Sequence, residues 1–165
     1  MTLSFVPATP DDVAIVAALR AAVATDLTLK YGHGHWSSVA TEKGVLRDIT
    51  TARVLLARKG SSAAATVRLA TKKPWAIDPA YFTSCSRVLY LTDMAVAPGL
   101  QRQGIGRRCL EHARAVAKAW PADTIRLDAY DGPAGAGEFY AKCGFREVGR
   151  ITFRQTPLVY YELLL

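Results

Sequence analysis

The stretch that most constrains this chain lies between residues 88 and 130. Val88, Leu89, Tyr90, Leu91, Thr92, Asp93, Met94, Ala95 and Val96 form a mostly apolar run that Pro98 and Gly99 end. Such a run, bounded by turn formers, predicts a buried strand. Gln101, Arg102, Gln103, Gly104, Ile105 and Gly106 follow almost directly. Beyond them, Cys109, Leu110, Ala113, Val116, Ala117 and Trp120 fall on a single apolar helical face, and Pro121 stops the helix. Residues 124–130 predict a second strand. Strand, glycine turn, helix and strand make a βαβ unit, in which the two strands run parallel.

The flanks read differently. Residues 3–7 predict a short strand. Thr9 has the character of an N-cap, with Pro10 in the first helical turn and Asp11 and Asp12 facing the positive end of the helix dipole. Val13, Val16, Leu19 or Arg20, Val23 and Leu27 then follow at helical spacing, and the glycines at 32 and 34 close the helix. A short helix or turn is expected around 41–49. Residues 53–58 and 64–69 flank a polar turn and predict a β-hairpin. Residues 73–86 read as a loop with a helical turn. After the βαβ unit come a loop, a short helix over 135–143 capped by Gly144, and strands over 146–153 and 158–165. The expected fold is therefore α/β in the α+β sense: one mixed sheet, antiparallel early and parallel in the middle. The 165 residues show no repeat and no linker, so residues 1–165 are expected to form a single domain.

Composition narrows the function classes. The net charge is +7, but no five basic residues run together, so nucleic acid is not an expected partner. No apolar run reaches the ~18 residues of a membrane span. Met1 to Pro10 lack a basic segment followed by an apolar one, so no signal peptide is expected and the assignment is cytoplasmic. Cys85, Cys109 and Cys143 form no C-x-x-C pair and are expected to be free thiols. His33 and His35 stand close together without a third ligand, so no metal is expected.

The chemistry concentrates at residues 101–106. Glycines let the backbone approach a ligand, and a helix start offers N–H groups without intrahelical partners together with a positive dipole end. This combination is a pyrophosphate site, with Arg102, Arg107 and Arg108 at its rim. Gly106 is followed by Arg107 rather than by Lys and Ser or Thr, which excludes a Walker-type loop. Gly104 and Gly106 match the first two glycines of a dinucleotide fingerprint, and Asp128 lies where its ribose-binding acid would. The third glycine position, however, holds Cys109, and the unit comes late in the chain.

Residues 101–106 resemble the Q/R-x-x-G-x-G/A signature of the GNAT superfamily of N-acetyltransferases. Met94, Ala95 and Val96 resemble that family's fourth strand. Phe139, Tyr140, Ala141, Lys142, Cys143, Gly144 and Phe145 are similar to its Y-x-x-x-G-F motif. The resemblance implies about seven strands with four helices, and a wedge where the fourth and fifth strands splay and acetyl-CoA enters. It implies that backbone amides of Gln101, Arg102, Gln103, Gly104, Ile105, Gly106 and Arg107 hold the pyrophosphate. It also implies that Met94, Ala95 and Val96 pair with the pantetheine arm, one N–H polarising the thioester carbonyl. Tyr140 matches the residue that protonates the leaving thiolate. Asp93, a carboxylate in an apolar strand, is the candidate base, with Asp128 as rival. Pro133 stands where the family often has Asn. Trp36, Trp75, Tyr81 and Phe82, with His33 and His35, are candidate walls of the acceptor pocket.

The expected activity is N-acetyl transfer from acetyl-CoA, a co-substrate, to a primary amine by direct attack in a ternary complex. The acceptor is a small-molecule or protein amine, and the protein a monomer or homodimer. The alternatives are a non-catalytic acyl-CoA-binding sensor domain and a basic nucleic-acid-binding protein.

Overall fold

Thr9 opens the helical part of the chain: its backbone N–H donates to the Asp12 side chain, Oδ2, at 2.8 Å, and Asp12 N closes the first turn by donating to Thr9 O at 2.8 Å. The computed structural model describes residues 2–165. Its elements run β1 (Leu3–Pro7), α1 (Val13–Tyr31), α2 (Glu42–Thr51), β2 (Arg53–Lys59), β3 (Ser62–Ala70), β4 (Val88–Val96), α3 (Ile105–Ala119), β5 (Thr124–Tyr130), α4 (Gly137–Lys142), β6 (Arg146–Phe153) and β7 (Thr156–Leu164). The strands form one seven-stranded mixed sheet in the order β1-β2-β3-β4-β5-β7-β6, so the fold is α/β with the expected strand and helix numbers.

By internal contacts the chain forms two compact units. The first takes in the chain up to Ala70 together with Thr92–Ala113. In it β1, β2 and β3 pair antiparallel, with Phe5 opposite Ala57 and Leu55 opposite Val67. Val16 and Ala17 of α1, Val45 of α2, and Val54 and Leu56 of β2 make its buried cluster. Each such valine or leucine contributes about 1.5–3 kcal/mol on burial. Thr41 caps α2 by accepting from Gly44 N at 3.0 Å. His112 of α3 stacks on Phe5 with ring centroids 5.1 Å apart, and Arg108 lies over the same ring.

The second unit comprises Thr71–Leu91 and Arg114–Leu165. Here the first three residues of β4 pair parallel with β5, Val88 with Thr124, Leu89 with Ile125 and Tyr90 with Arg126. β5 and β6 flank β7 antiparallel. Tyr160 is fully buried; its hydroxyl donates to Ala76 O and accepts from Asp78 N, and its ring lies 5.1 Å from that of Phe82. Buried Glu162 accepts from Thr83 N at 3.0 Å and Thr83 Oγ1 at 3.1 Å, while Arg126 donates to Thr83 O at 2.8 Å. These bonds fix the long loop before β4 against the β5–β7 ladder. They also give Phe82 a core role in place of the pocket-wall role expected from the sequence.

The last hairpin is tighter than the sequence suggests. β7 begins at Thr156 rather than 158, and its two-residue turn is Arg154 and Gln155, both at positive φ (46° and 69°). A two-residue turn with both central residues left-handed normally uses Asn-Gly, because other side chains are strained there.

Replacing Arg154 and Gln155 by Asn and Gly is expected to stabilise the protein by about 1–2 kcal/mol, read as a higher Tm. Burial lowers the His112 pKa below its ordinary 6.5. The stability carried by its neutral form is therefore complete above pH 6.5 and is lost as pH falls through the lowered value. Denaturant titrations across that window should show this slope, and His112→Gln should remove it.

Candidate active site

In the first unit β4 leads through a short 3-10 turn, Pro98–Leu100, into the segment before α3. Two side chains lock this segment onto the backbone it leaves: Gln101 Nε2 donates to Val96 O at 3.2 Å and Gln103 Nε2 to Gly99 O at 3.3 Å. Arg102 and Gly104 both take positive φ, 61° and 79°. A Cβ on Gly104 would meet nothing within 4 Å, so glycine serves the backbone angle there and not a lack of room. The first helical bond of α3 on this side runs from Arg108 N to Gly104 O at 3.1 Å. The amides of the preceding residues sit in the first turn, where α-helical geometry provides no acceptor within the helix. Arg102, Arg107 and Arg108 are all exposed around it. The result is a positively charged turn of backbone donors, the arrangement that suits a pyrophosphate.

Asp93 behaves differently from simple strand alternation. Period-two counting groups it with Leu89, Leu91 and Ala95. Those three are buried, whereas Asp93 is exposed and has φ +52°. The left-handed residue interrupts the pleat, turning the carboxylate to water instead of leaving it to be desolvated in the core. It is the residue just before Met94, Ala95 and Val96, so the same unit brings together the base candidate, the pantetheine-pairing candidates and residues 101–107.

The second unit carries Tyr140 and Asp128. Tyr140 is buried in α4, 7% exposed, and packs against Phe145 (5.7 Å between centroids) and Tyr161 (6.2 Å). Its carbonyl accepts from Cys143 N and Phe145 N, which ends the helix before Gly144 at φ +93°. Asp128 is half-buried on β5, in register with Tyr160. The loop from β5 to α4 is unusually close: a Cβ on Gly135 would lie 1.8 Å from Tyr130 O, and one on Gly137 would lie 2.8 Å from the Tyr161 hydroxyl. Gly135 and Gly137 thus serve the packing of this loop. Beside it opens a cavity of 520 Å³ whose lining includes Tyr130, Asp131, Phe139, Arg150 and Tyr161. Arg150 is held there by both oxygens of Asp131 at 3.1 Å and by Glu147 at 2.9 Å.

The other singled-out residues scatter. His33 and His35 are exposed, Trp36 Nε1 donates to Gly32 O at 3.0 Å, and Trp75 is 85% exposed. Tyr81 stands where a Cβ on Gly149 would come within 2.3 Å of its ring. None of the three cysteines is in a disulfide, and burial pushes the Cys109 thiol up to about 12, which makes it a poor nucleophile. Among the described residues no group of three or more His, Cys, Asp or Glu could hold a metal ion, and no helix is long and apolar enough to cross a membrane.

A seven-stranded mixed sheet with a glycine turn at the head of α3 is the fold that the resemblance of the sequence implies. The sequence profile of the acetyltransferase (GNAT) family matches residues 22–145, and the chain belongs to that family. Solved structures agree. An N-acetyltransferase from Staphylococcus aureus Mu50 has a TM-score of 0.73 at 16% identity, with 99% of each chain covered. A ribosomal-protein-alanine N-acetyltransferase from Brucella melitensis has a TM-score of 0.73 at 17% identity, covering 98% of this chain and 99% of that one. The yncA protein of Salmonella typhimurium, described with its cofactor acetyl-CoA, has a TM-score of 0.70 at 14% identity, covering 100% of this chain and 95% of that one. No curated protein matches the chain.

Two glycines should separate cofactor binding from folding. Gly104→Ala should cost only the left-handed strain, about 1–2 kcal/mol, and should weaken acetyl-CoA binding in calorimetric titration. Gly135→Ala, which meets backbone, should lower Tm by more than Gly104→Ala does.

Proposed function

We propose that this protein transfers the acetyl group of acetyl-CoA to a primary amine by direct attack in a ternary complex. The observation that carries the reading is the turn at residues 101–106, with Arg102 and Gly104 left-handed at the head of α3. Its residues fit a pyrophosphate: backbone donors, a helix start of fifteen residues, and exposed arginines. The co-substrate supplies an activated acyl thioester; everything else is assigned to the chain. Backbone amides of residues 101–107 hold the pyrophosphate. Backbone groups of Met94, Ala95 and Val96 align the pantetheine arm as an added strand, and one N–H donates to the thioester oxygen.

Asp93, exposed to water, takes the proton that makes the amine a nucleophile, with Asp128 as the alternative base. As the C–N bond forms and the C–S bond breaks, Tyr140 gives its hydroxyl proton to sulfur. A tyrosine hydroxyl is a general acid that can hand its proton to the sulfur as the C–S bond breaks. Holding amine and thioester in line supplies much of the rate, since it makes the reaction effectively unimolecular. The location assigned is cytoplasmic, in keeping with three cysteines outside any disulfide.

The test is release of free CoA thiol on incubation with acetyl-CoA and a panel of amines. Turnover is expected with at least one amine class; acetyl-CoA binding without turnover would favour the sensor reading. Tyr140→Phe should lower kcat by about 100-fold with little change in the KM for acetyl-CoA. An unchanged kcat would remove Tyr140 from the mechanism. Asp93→Asn should lower kcat with acetyl-CoA binding unchanged, and a loss confined to Asp128→Asn would move the base to β5.

A further inference from the structure

Within the first unit, an arginine of α1 and one of β3 converge on one carboxylate of α2. Arg20 of α1 donates through Nη1 to Asp48 Oδ2 of α2 at 2.9 Å. Arg68 of β3 brings Nε within 3.3 Å of Asp48 Oδ1, out of hydrogen-bond alignment, and donates through Nη1 to Thr92 Oγ1 of β4 at 3.3 Å. The two guanidiniums share one aspartate, which leaves one positive charge in excess. The side chains are only 11%, 17% and 23% exposed for Arg20, Arg68 and Asp48. Arg20 Nε, Arg20 Nη2 and Arg68 Nε are buried and have no hydrogen-bond partner.

A cross-link between helices and sheet needs one arginine and one aspartate. The second arginine adds a desolvated charge and donors without acceptors, each of which costs free energy unless something compensates. Nε and Nη2 of an arginine form one flat edge, the edge that pairs bidentately with a carboxylate. Arg20 presents that edge without an acceptor while Nη1 alone holds Asp48. Thr92, the β4 anchor of Arg68, immediately precedes Asp93 and Met94. An anion held here would therefore sit beside the strand segment at which the amine is activated.

We propose that Arg20 and Arg68 bind a carboxylate of the acceptor, so that the acceptor is an amino-acid-like molecule carrying amine and carboxylate together. This rests on the acetyl-transfer reading and names its substrate class. Asp48 orients the pair, and the excess charge of the two arginines is balanced when the acid binds.

The experiment uses the N-acetyl derivatives of the standard amino acids, as product probes, each beside its neutral carboxamide. Binding is read by 15N NMR of the arginine Nε–H groups, assigned with Arg20→Lys and Arg68→Lys. At least one acid should shift the Arg20 and Arg68 resonances below about 10 mM, and its amide should bind at least about tenfold more weakly. Arg20→Gln and Arg68→Gln should each remove that preference. Each leaves Asp48 one guanidinium partner, so the fold has a built-in control in Tm. No response to any acid, equal binding of acid and amide, or an unchanged preference in both Gln variants would overturn the proposal. Acetyl-CoA binding is measured on the same samples. If it persists while the acids fail, only the acceptor assignment falls; if wild-type protein binds no acetyl-CoA, the transferase reading falls with it.

Discussion

A strand that pairs with a parallel neighbour over three residues must place the rest of its backbone donors and acceptors elsewhere. β4 is nine residues long, and its ladder with β5 covers Val88, Leu89 and Tyr90. Beyond that ladder the strand takes on Asp93 in the left-handed region and then Met94, Ala95 and Val96. Those residues lie in the part of β4 to which the transfer chemistry is assigned. The pleat interruption at Asp93 and the brief β5 ladder are therefore the features on which the proposed site depends.

The turn that follows is held by its own chain. Gln101 and Gln103 fold back on Val96 O and Gly99 O, and Arg102 and Gly104 accept left-handed backbone so that α3 starts with its amides presented together. Arg102 in that conformation is strained, by about 1–3 kcal/mol for a non-glycine residue. Strain of this kind persists where the surroundings over-determine it, and here the flanking glutamine bonds do so. In the second unit, Tyr160 and Glu162 perform a comparable task, fastening the long loop ahead of β4 with backbone hydrogen bonds.

Much of this was legible in the residues themselves, because the information is local. The apolar run of β4, the glycines at 104 and 106 and the face of α3 each lie within one element, and the parallel β4–β5 pairing follows from their order. What escaped was non-local or against propensity. Nothing in the sequence marks Arg154 and Gln155 as a left-handed turn, since neither is a residue that favours one. Alternation hides the exposure of Asp93, which depends on a single backbone angle. Arg20 reads as a helix-face position, and only folding brings it to Asp48 and, through that carboxylate, into one cluster with Arg68. Phe82 reads as a pocket wall but is drawn into the core by Tyr160, a partner 78 positions away in the chain.

The central claim is that residues 101–107 cradle the pyrophosphate of an acyl-CoA. It is tested most directly by thermal unfolding with acetyl-CoA, CoA, NAD and no ligand. A ligand at about 100 times its Kd adds about 2.7 kcal/mol of stability, which raises Tm by several degrees in a chain of this size. The account predicts such a rise with acetyl-CoA and CoA and none with NAD. No rise with either CoA ligand at millimolar concentration, or an equal rise with NAD, would contradict it.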